Sequence, residues 1–384
     1  MDIYVVKEGD TVDSIAFYFG ISINSLIYAN QLEYPYRLAI GQSMLIVDDL
    51  ELSGLLYRKN ILRANGFAYP FISPWVLNET LPYLEEMSVF SYGFSEEGEL
   101  IPPALPVEWM INDALYKGVR PVLTLTPFGK DGQFNNYLIH RMLINERARG
   151  NLIANIVDTI TEMGFEGVNI DFEFILSEDR DNFTQFVGDV TNAVNELGYE
   201  VTVDLAPKTS STQSGLLYEG KDYMGLGNAS NRAFVMTYEW GYTYGPAMAV
   251  APINKVRQVL EYAITQIPSE KISMGIPNYG YDFIQPYVRG ESKAKTIGNI
   301  EAVNIAINNN SIIMFDEISK TPFFSYVEDN VTHEVWFEDA RSIFEKYKLI
   351  KEYNLYGFGC WQIMQLFRPM WILSRADLDD ISVL

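Results

Sequence analysis

At 384 residues, the chain is too long for one small domain and long enough for a large α/β domain carrying a small module. Its 48% hydrophobic and 20% charged residues are ordinary globular usage and exclude disorder as the expectation, while a net charge of −22 disfavours nucleic acid, whose binding needs clustered Lys and Arg. Cys360 is the one cysteine, which excludes an internal disulfide, and His140 and His333 have no ligand-like spacing with it, so neither a metal nor a cofactor is expected. The opening MDIYVVKEGDT lacks a basic stretch followed by an apolar one, and no apolar run is long enough to cross a bilayer. The expectation is a protein without a cleaved signal peptide or a membrane span. Oligomeric state is not legible.

From the N-terminus, residues 1–48 read as one unit. Residues 3–6 alternate as a short strand, Gly9-Asp10-Thr11 makes a turn with Thr11 placed as a helix N-cap, and residues 12–19 carry helical spacing stopped at Gly20. A second short helix fits 22–30, and Gly41 precedes a strand over 43–47. An acidic stretch beginning DDLEL reads as a linker over 49–59. The remainder, 60–384, alternates strands with helical patterns. Strands are predicted at 61–67, 87–94, 120–126, 167–172, 200–205, 233–238, 271–276 and 356–361. Between them lie helical stretches such as INKVRQVLEYAITQI and DARSIFEKYKLIKEYN, the second with Asp339 as its cap. Eight such repeats fit a (β/α)8 TIM barrel better than a doubly wound sheet. The gap at 277–335 is too long for a loop. Its pieces IIMFDEI, FFSYV and HEVWF predict a small antiparallel α+β insertion after the seventh strand.

The fourth strand carries the chemistry. In GVNIDFEF, residues 167–174, Val168, Ile170, Phe172 and Phe174 share one face, while Asn169, Asp171 and Glu173 share the other. As a bare pattern this is an amphipathic strand with a solvated side. Its flanks are helical, however, and EVTVDLAP follows as the next strand, which is the βαβ pattern of a parallel sheet covered on both faces. Carboxylates on such a strand do not face bulk water, and burying them without partners costs several kcal/mol. A row of them therefore marks a site, and strand C-terminal ends are where barrels place reacting groups.

This stretch resembles the motif of glycoside hydrolase family 18, Asp-Gly-apolar-Asp-apolar-Asp-x-Glu. Asp171 and Glu173 match it; Glu166 and Asn169 stand where the motif has its two earlier acids. The sixth strand's Met236-Thr237-Tyr238-Glu239-Trp240 is similar to the family's Met-x-Tyr-Asp, with supporting matches at Gly275-Ile276-Pro277-Asn278-Tyr279-Gly280 and Gly359-Cys360-Trp361. The third strand, LTLTPFG, departs from the family's Ser-x-Gly-Gly. The resemblance implies a retaining, substrate-assisted glycosidase without a cofactor. Glu173 would be general acid and base, Asp171 would orient the sugar's 2-acetamido group, Tyr238 would bind that group's oxygen, and Trp361 would form the floor. Asn169, Met236, Glu239, Trp240 and Asn278 are the further substrate-binding candidates. Asn169 is expected either to relieve like-charge repulsion, so that Asp171 ionises more readily, or only to fill the interior.

Residues 1–48, with their GDT, central Asn30 and late Gly41-Gln42, resemble a LysM module, which implies binding of N-acetylglucosamine-containing glycans through candidates Asp10, Thr11 and Asn30. Module and barrel together resemble spore-germination glycosidases. That implies an N-acetylglucosaminidase acting on spore-cortex peptidoglycan, made in the mother cell and placed in the spore. A chitinase or chitooligosaccharide hydrolase, and a non-catalytic glycan-binding spore-coat protein, are the alternatives left open. If the module is only a tether, deleting it should weaken binding to insoluble cortex far more than hydrolysis of short soluble fragments.

Overall fold

The computed structural model describes residues 1–57, 61–128 and 135–384. Eight parallel strands form the central ring: β1 (Arg63–Ala68), β2 (Glu86–Phe94), β3 (Arg120–Leu125), β4 (Gly167–Ile170), β5 (Glu200–Leu205), β6 (Arg232–Val235), β7 (Ile272–Pro277) and β8 (Gly357–Trp361). Neighbours pair in chain order and β8 pairs with β1, so the sheet closes into a barrel. Observed strands lie close to the predicted ones, with the clearest differences at the tops. β4 stops at Ile170 and β6 at Val235, earlier than predicted. Asp171 N still bonds Leu125 O at 2.9 Å, and Met236 N bonds Leu205 O at 3.0 Å, one residue past each strand end.

The alternation read in GVNIDFEF sorts as expected through Phe172. Phe172 points outward and stacks on Phe183 and Phe186 of the helix Arg180–Asn195, with centroids 5.6 and 5.9 Å away, and on Phe94 at 5.2 Å. Each ring so buried contributes about 1.5–3 kcal/mol. That packing anchors β4 and leaves Asn169 and Asp171 on the inner face.

Between β7 and the helix that precedes β8, Ala340–Glu352, lies the expected α+β insertion. It holds a five-stranded antiparallel sheet and the helix Asn299–Asn308. Two of its strands, Gly280–Gln285 and Lys295–Ile297, were not among the predicted pieces. Asp339 caps the following helix, accepting from Arg341 N and Ser342 N.

The N-terminal unit pairs the strand Asp2–Val5 antiparallel with Ser43–Ile46 and packs helices Val12–Phe19 and Ile23–Asn30 against them. Thr11 is the N-cap, with Ser14 N donating to its Oγ1 at 3.0 Å. The stretch read as a linker is largely a helix, Asp49–Tyr57, because Asp48 Oδ1 accepts from Leu50 N and Glu51 N, and Leu52 and Leu55 are buried. The unit is also fixed to the barrel. The C-terminal strand Ser382–Val383 pairs parallel with Asp2 and Ile3, and Ile313 N donates to Ile40 O at 2.9 Å. Gly41 has a φ of +83°, and a Cβ there would lie 1.9 Å from the carbonyl oxygen of Ile313, so only glycine permits this approach.

Candidate active site

At the tops of the strands a cavity of about 300 Å³ opens. Phe67, Phe234 and Trp361 line its apolar depth with Tyr69, Phe90 and Phe128, while Asp171, Glu173, Asp204, Tyr238 and Glu239 present polar atoms. Trp361 packs edge-on against Phe90, at 4.8 Å, and Phe67, at 5.8 Å, which fixes its ring. Tyr238 fits beside β7 because Gly275 has no side chain: a Cβ there would lie 2.7 Å from the tyrosine ring.

Asp171 is buried, and burial, then the neighbouring Asp204 and Glu173, pushes its pKa well above the carboxylate range against the pull of Lys221. Glu173 is raised chiefly by burial, with Glu239 adding to the rise and Lys221 opposing it. It is thus biased toward the neutral acid. Glu239 has a left-handed backbone, φ +68°, and its carboxylate accepts hydrogen bonds from the hydroxyls of Tyr279 and Tyr281. Burial raises its pKa while those two bonds hold it down. Tyr238 is raised well above its ordinary value by burial and the surrounding carboxylates, so it stays a neutral hydroxyl.

The structure gathers Asp171, Glu173, Tyr238, Glu239, Met236 and Trp361 around this one cavity. Other candidates sit elsewhere. Asn169 is buried, does not line the cavity, and donates from Nδ2 to Asp204 Oδ2 at 2.9 Å. Asn278 is a fastener: its Nδ2 donates to the carbonyls of Gln362 and Gln365, at 3.0 and 2.8 Å, and its Oδ1 accepts from Asn299. Trp240 packs partly buried against the core, outside the lining. In the N-terminal unit Asn30 is consumed by the carbonyls of Leu26 and Leu45 and by Leu45 N. Asp10 and Thr11 line an open groove with Tyr36, though Thr11 spends its hydroxyl on the helix cap.

Sequence reasoning missed Asp204 and Lys221. Asp204 is an inward residue of β5, and Lys221 lies beyond it with Nζ donating to Asp204 O at 2.9 Å. The alternation of EVTVDL places Asp204 on the inner face, and that was the available signal. Asp204 supplies, from the next strand, a like charge beside Asp171 that position 169 lacks. At the departing third strand, Phe128 fills the cavity wall, and residues 129–134 lie outside the described residues. Among the described residues, no group of three or more His, Cys, Asp or Glu side chains is placed to hold a metal.

The model for glycosyl hydrolases family 18 matches residues 128–365, which span β4 through β8 and the carboxylate pair at the top of β4. The chain belongs to glycosyl hydrolase family 18. The LysM model matches residues 4–47. Over the whole chain this family member is 33% identical to the cortical fragment-lytic enzyme of Bacillus subtilis, covering 99% of that protein. It is 32% identical to the spore cortex-lytic enzyme SleL of Bacillus megaterium, whose crystal structure superposes with a TM-score of 0.90 over 100% of this chain and 98% of that one. It is also 34% identical, over 97% of its length, to 87% of the putative sporulation-specific glycosylase YdhD of Bacillus subtilis. The family 18 membership makes the chain a glycoside hydrolase.

Proposed function

We propose that the chain is an N-acetylglucosaminidase that hydrolyses spore-cortex peptidoglycan or its fragments with retention of configuration. The observation that carries the reading is the gathering of Glu173, Asp171, Tyr238 and Trp361 around one cavity. Glu173 gives its proton to the leaving glycosidic oxygen. The substrate's own 2-acetamido oxygen attacks the anomeric carbon in place of a second protein carboxylate, as in the substrate-assisted exceptions among glycosidases. Asp171 accepts from the acetamido N–H and stabilises the oxazolinium charge, while the Tyr238 hydroxyl donates to the acetamido oxygen and holds it in line. Trp361 supports the apolar face of that sugar. Glu173, now a carboxylate, takes a proton from the incoming water.

Met236 and Glu239 complete the sugar site, and residues 1–48, as a LysM module ahead of a barrel from residue 60, hold the glycan polymer through the groove of Asp10 and Thr11. The cortex as substrate, and placement in the spore after synthesis in the mother cell, are supported by the names and full-length similarity of the relatives. Incubation with purified cortex fragments, followed by mass spectrometry, tests the reading. The expected products carry N-acetylglucosamine at the new reducing end. Products ending in the muramic sugar, or no release from cortex alongside rapid cleavage of chitooligosaccharides, would overturn it, the second in favour of a chitinase.

A further inference from the structure

Four ionisable groups meet at the cavity, three of them in its lining. Asp171, Glu173 and Asp204 are the acids, and Lys221, which is 1% exposed, is the base. On the strand ladder the last residue of β4, Ile170, pairs with Val203, so the residues that follow each, Asp171 and Asp204, lie beside one another. Adjacent strands run about 4.8 Å apart, which puts the two carboxyls side by side. Asn169, two residues before Asp171, turns its amide across to Asp204 Oδ2 at 2.9 Å. Asp171 and Asp204 each keep one buried oxygen, Oδ1, without a partner among the described residues.

Charge counting follows from this geometry. Three ionised carboxylates against one ammonium would leave a buried excess of negative charge, which is costly. Two protons on the three carboxyls make the cluster neutral. Glu173 needs one of them as the general acid. From this we infer that Asp171 and Asp204 act as one pair that shares the second proton, with Asp204, Asn169 and Lys221 as positioning residues for Asp171. The inference rests on the hydrolase reading above and deepens it. When the substrate's N–H donates to Asp171, the negative charge settles on Asp171 and the proton on Asp204 Oδ1. Asn169 keeps Oδ2 of Asp204 occupied as an acceptor, so the proton goes to the other oxygen. No proton is gained or lost from the cluster in this shift.

The groups facing the pair are Glu173 beyond β4, Lys221 beyond β5, Tyr238 and Glu239 beyond β6, and Tyr69 beyond β1. Of these Lys221 is the one cation, so removing it and removing Asp204 should move proton release in opposite directions. The full chain is assayed on a fluorogenic N-acetylchitobioside, with kcat and KM measured against pH and folding checked by Tm. Asp204→Asn should lower kcat by about tenfold or more with KM within about threefold, and move the alkaline limb of kcat/KM down by roughly one pH unit. Lys221→Met should move that limb up. Asn169→Asp in the Asp204→Asn background returns an acid to the cluster from the other strand, and should recover about tenfold in kcat over the single variant.

An Asp204→Asn variant that is folded with unchanged kcat and limbs would overturn the inference, and so would a double variant no better than the single. If Asp204→Asn does not fold, an unmoved alkaline limb in Lys221→Met overturns it. Loss of wild-type hydrolysis on every N-acetylated glycan would instead strike the hydrolase reading itself.

Discussion

Burial pushes the Asp204 carboxyl up from 3.8 to about 8, with Glu173 adding to the rise and the Asn169 hydrogen bond and Lys221 offsetting part of it. A group with a raised native pKa stabilises the fold fully below its unfolded value and loses that contribution as pH climbs through the native one. Asp204 alone therefore makes the protein less stable between about pH 4 and pH 8. Asp204→Asn removes this dependence. Its Tm relative to wild type should be more favourable at pH 8 than at pH 4, and a constant difference across that range would contradict the assignment. The same neighbourhood shows what a lone sequence conveys about residues. Glu173, Asp171, Tyr238 and Trp361 were legible because a motif and strand ends fix them together. Asn169, Asn278 and Asn30 read as sugar ligands, yet each is bonded inside the protein, since an amide on a polar face has the same pattern whether it meets a glycan or a neighbouring chain atom. Asp204 and Lys221 were silent because each is a single charge in an otherwise ordinary stretch.

At the scale of elements, the position of the Tyr238 ring, given a catalytic role in the proposed mechanism, depends on a glycine of the next strand. Gly275→Ala would press a methyl into the Tyr238 ring at 2.7 Å. Overpacking of this kind costs about 1–3 kcal/mol, and the ring must shift. The expected result is a lowered Tm with kcat falling more than KM rises, read by thermal unfolding and steady-state kinetics; unchanged kcat would mean that the hydroxyl of Tyr238 is not held by β7. All eight barrel strands were legible, since strands covered on both faces are written as apolar runs. The tops of β4 and β6 were not, because a strand that stops early leaves the same alternating residues as a continued one. The helix Asp49–Tyr57 was missed for a different reason. Its apolar spacing is interrupted by Ser53 and Gly54, and its stability comes from the Asp48 cap and from burying Leu52 and Leu55. The strand Ser382–Val383 is too short to carry any periodicity.

For the whole molecule, the N-terminal unit is part of the folded body. Ile3, Ala29, Leu45 and Val47 belong to the same apolar core as the barrel, and Ala39 packs into the core of the insertion. Arg341 and Arg368 add polar ties, to Gly41 O and Gln31 Oε1. Deleting residues 1–48 should therefore do more than untether the enzyme from cortex. It should lower Tm by roughly 5 °C or more, while the folded fraction still cleaves short soluble glycans; an unchanged Tm would restore the tether reading. The central claim, that this family 18 barrel cuts glycan through Glu173, is tested most directly by one comparison. Glu173→Gln and wild type are measured for binding and for turnover of the same soluble N-acetylated fragment. The account predicts retained binding and a loss of turnover of about 10²- to 10⁴-fold, whereas turnover within a few-fold of wild type in a folded variant would contradict it.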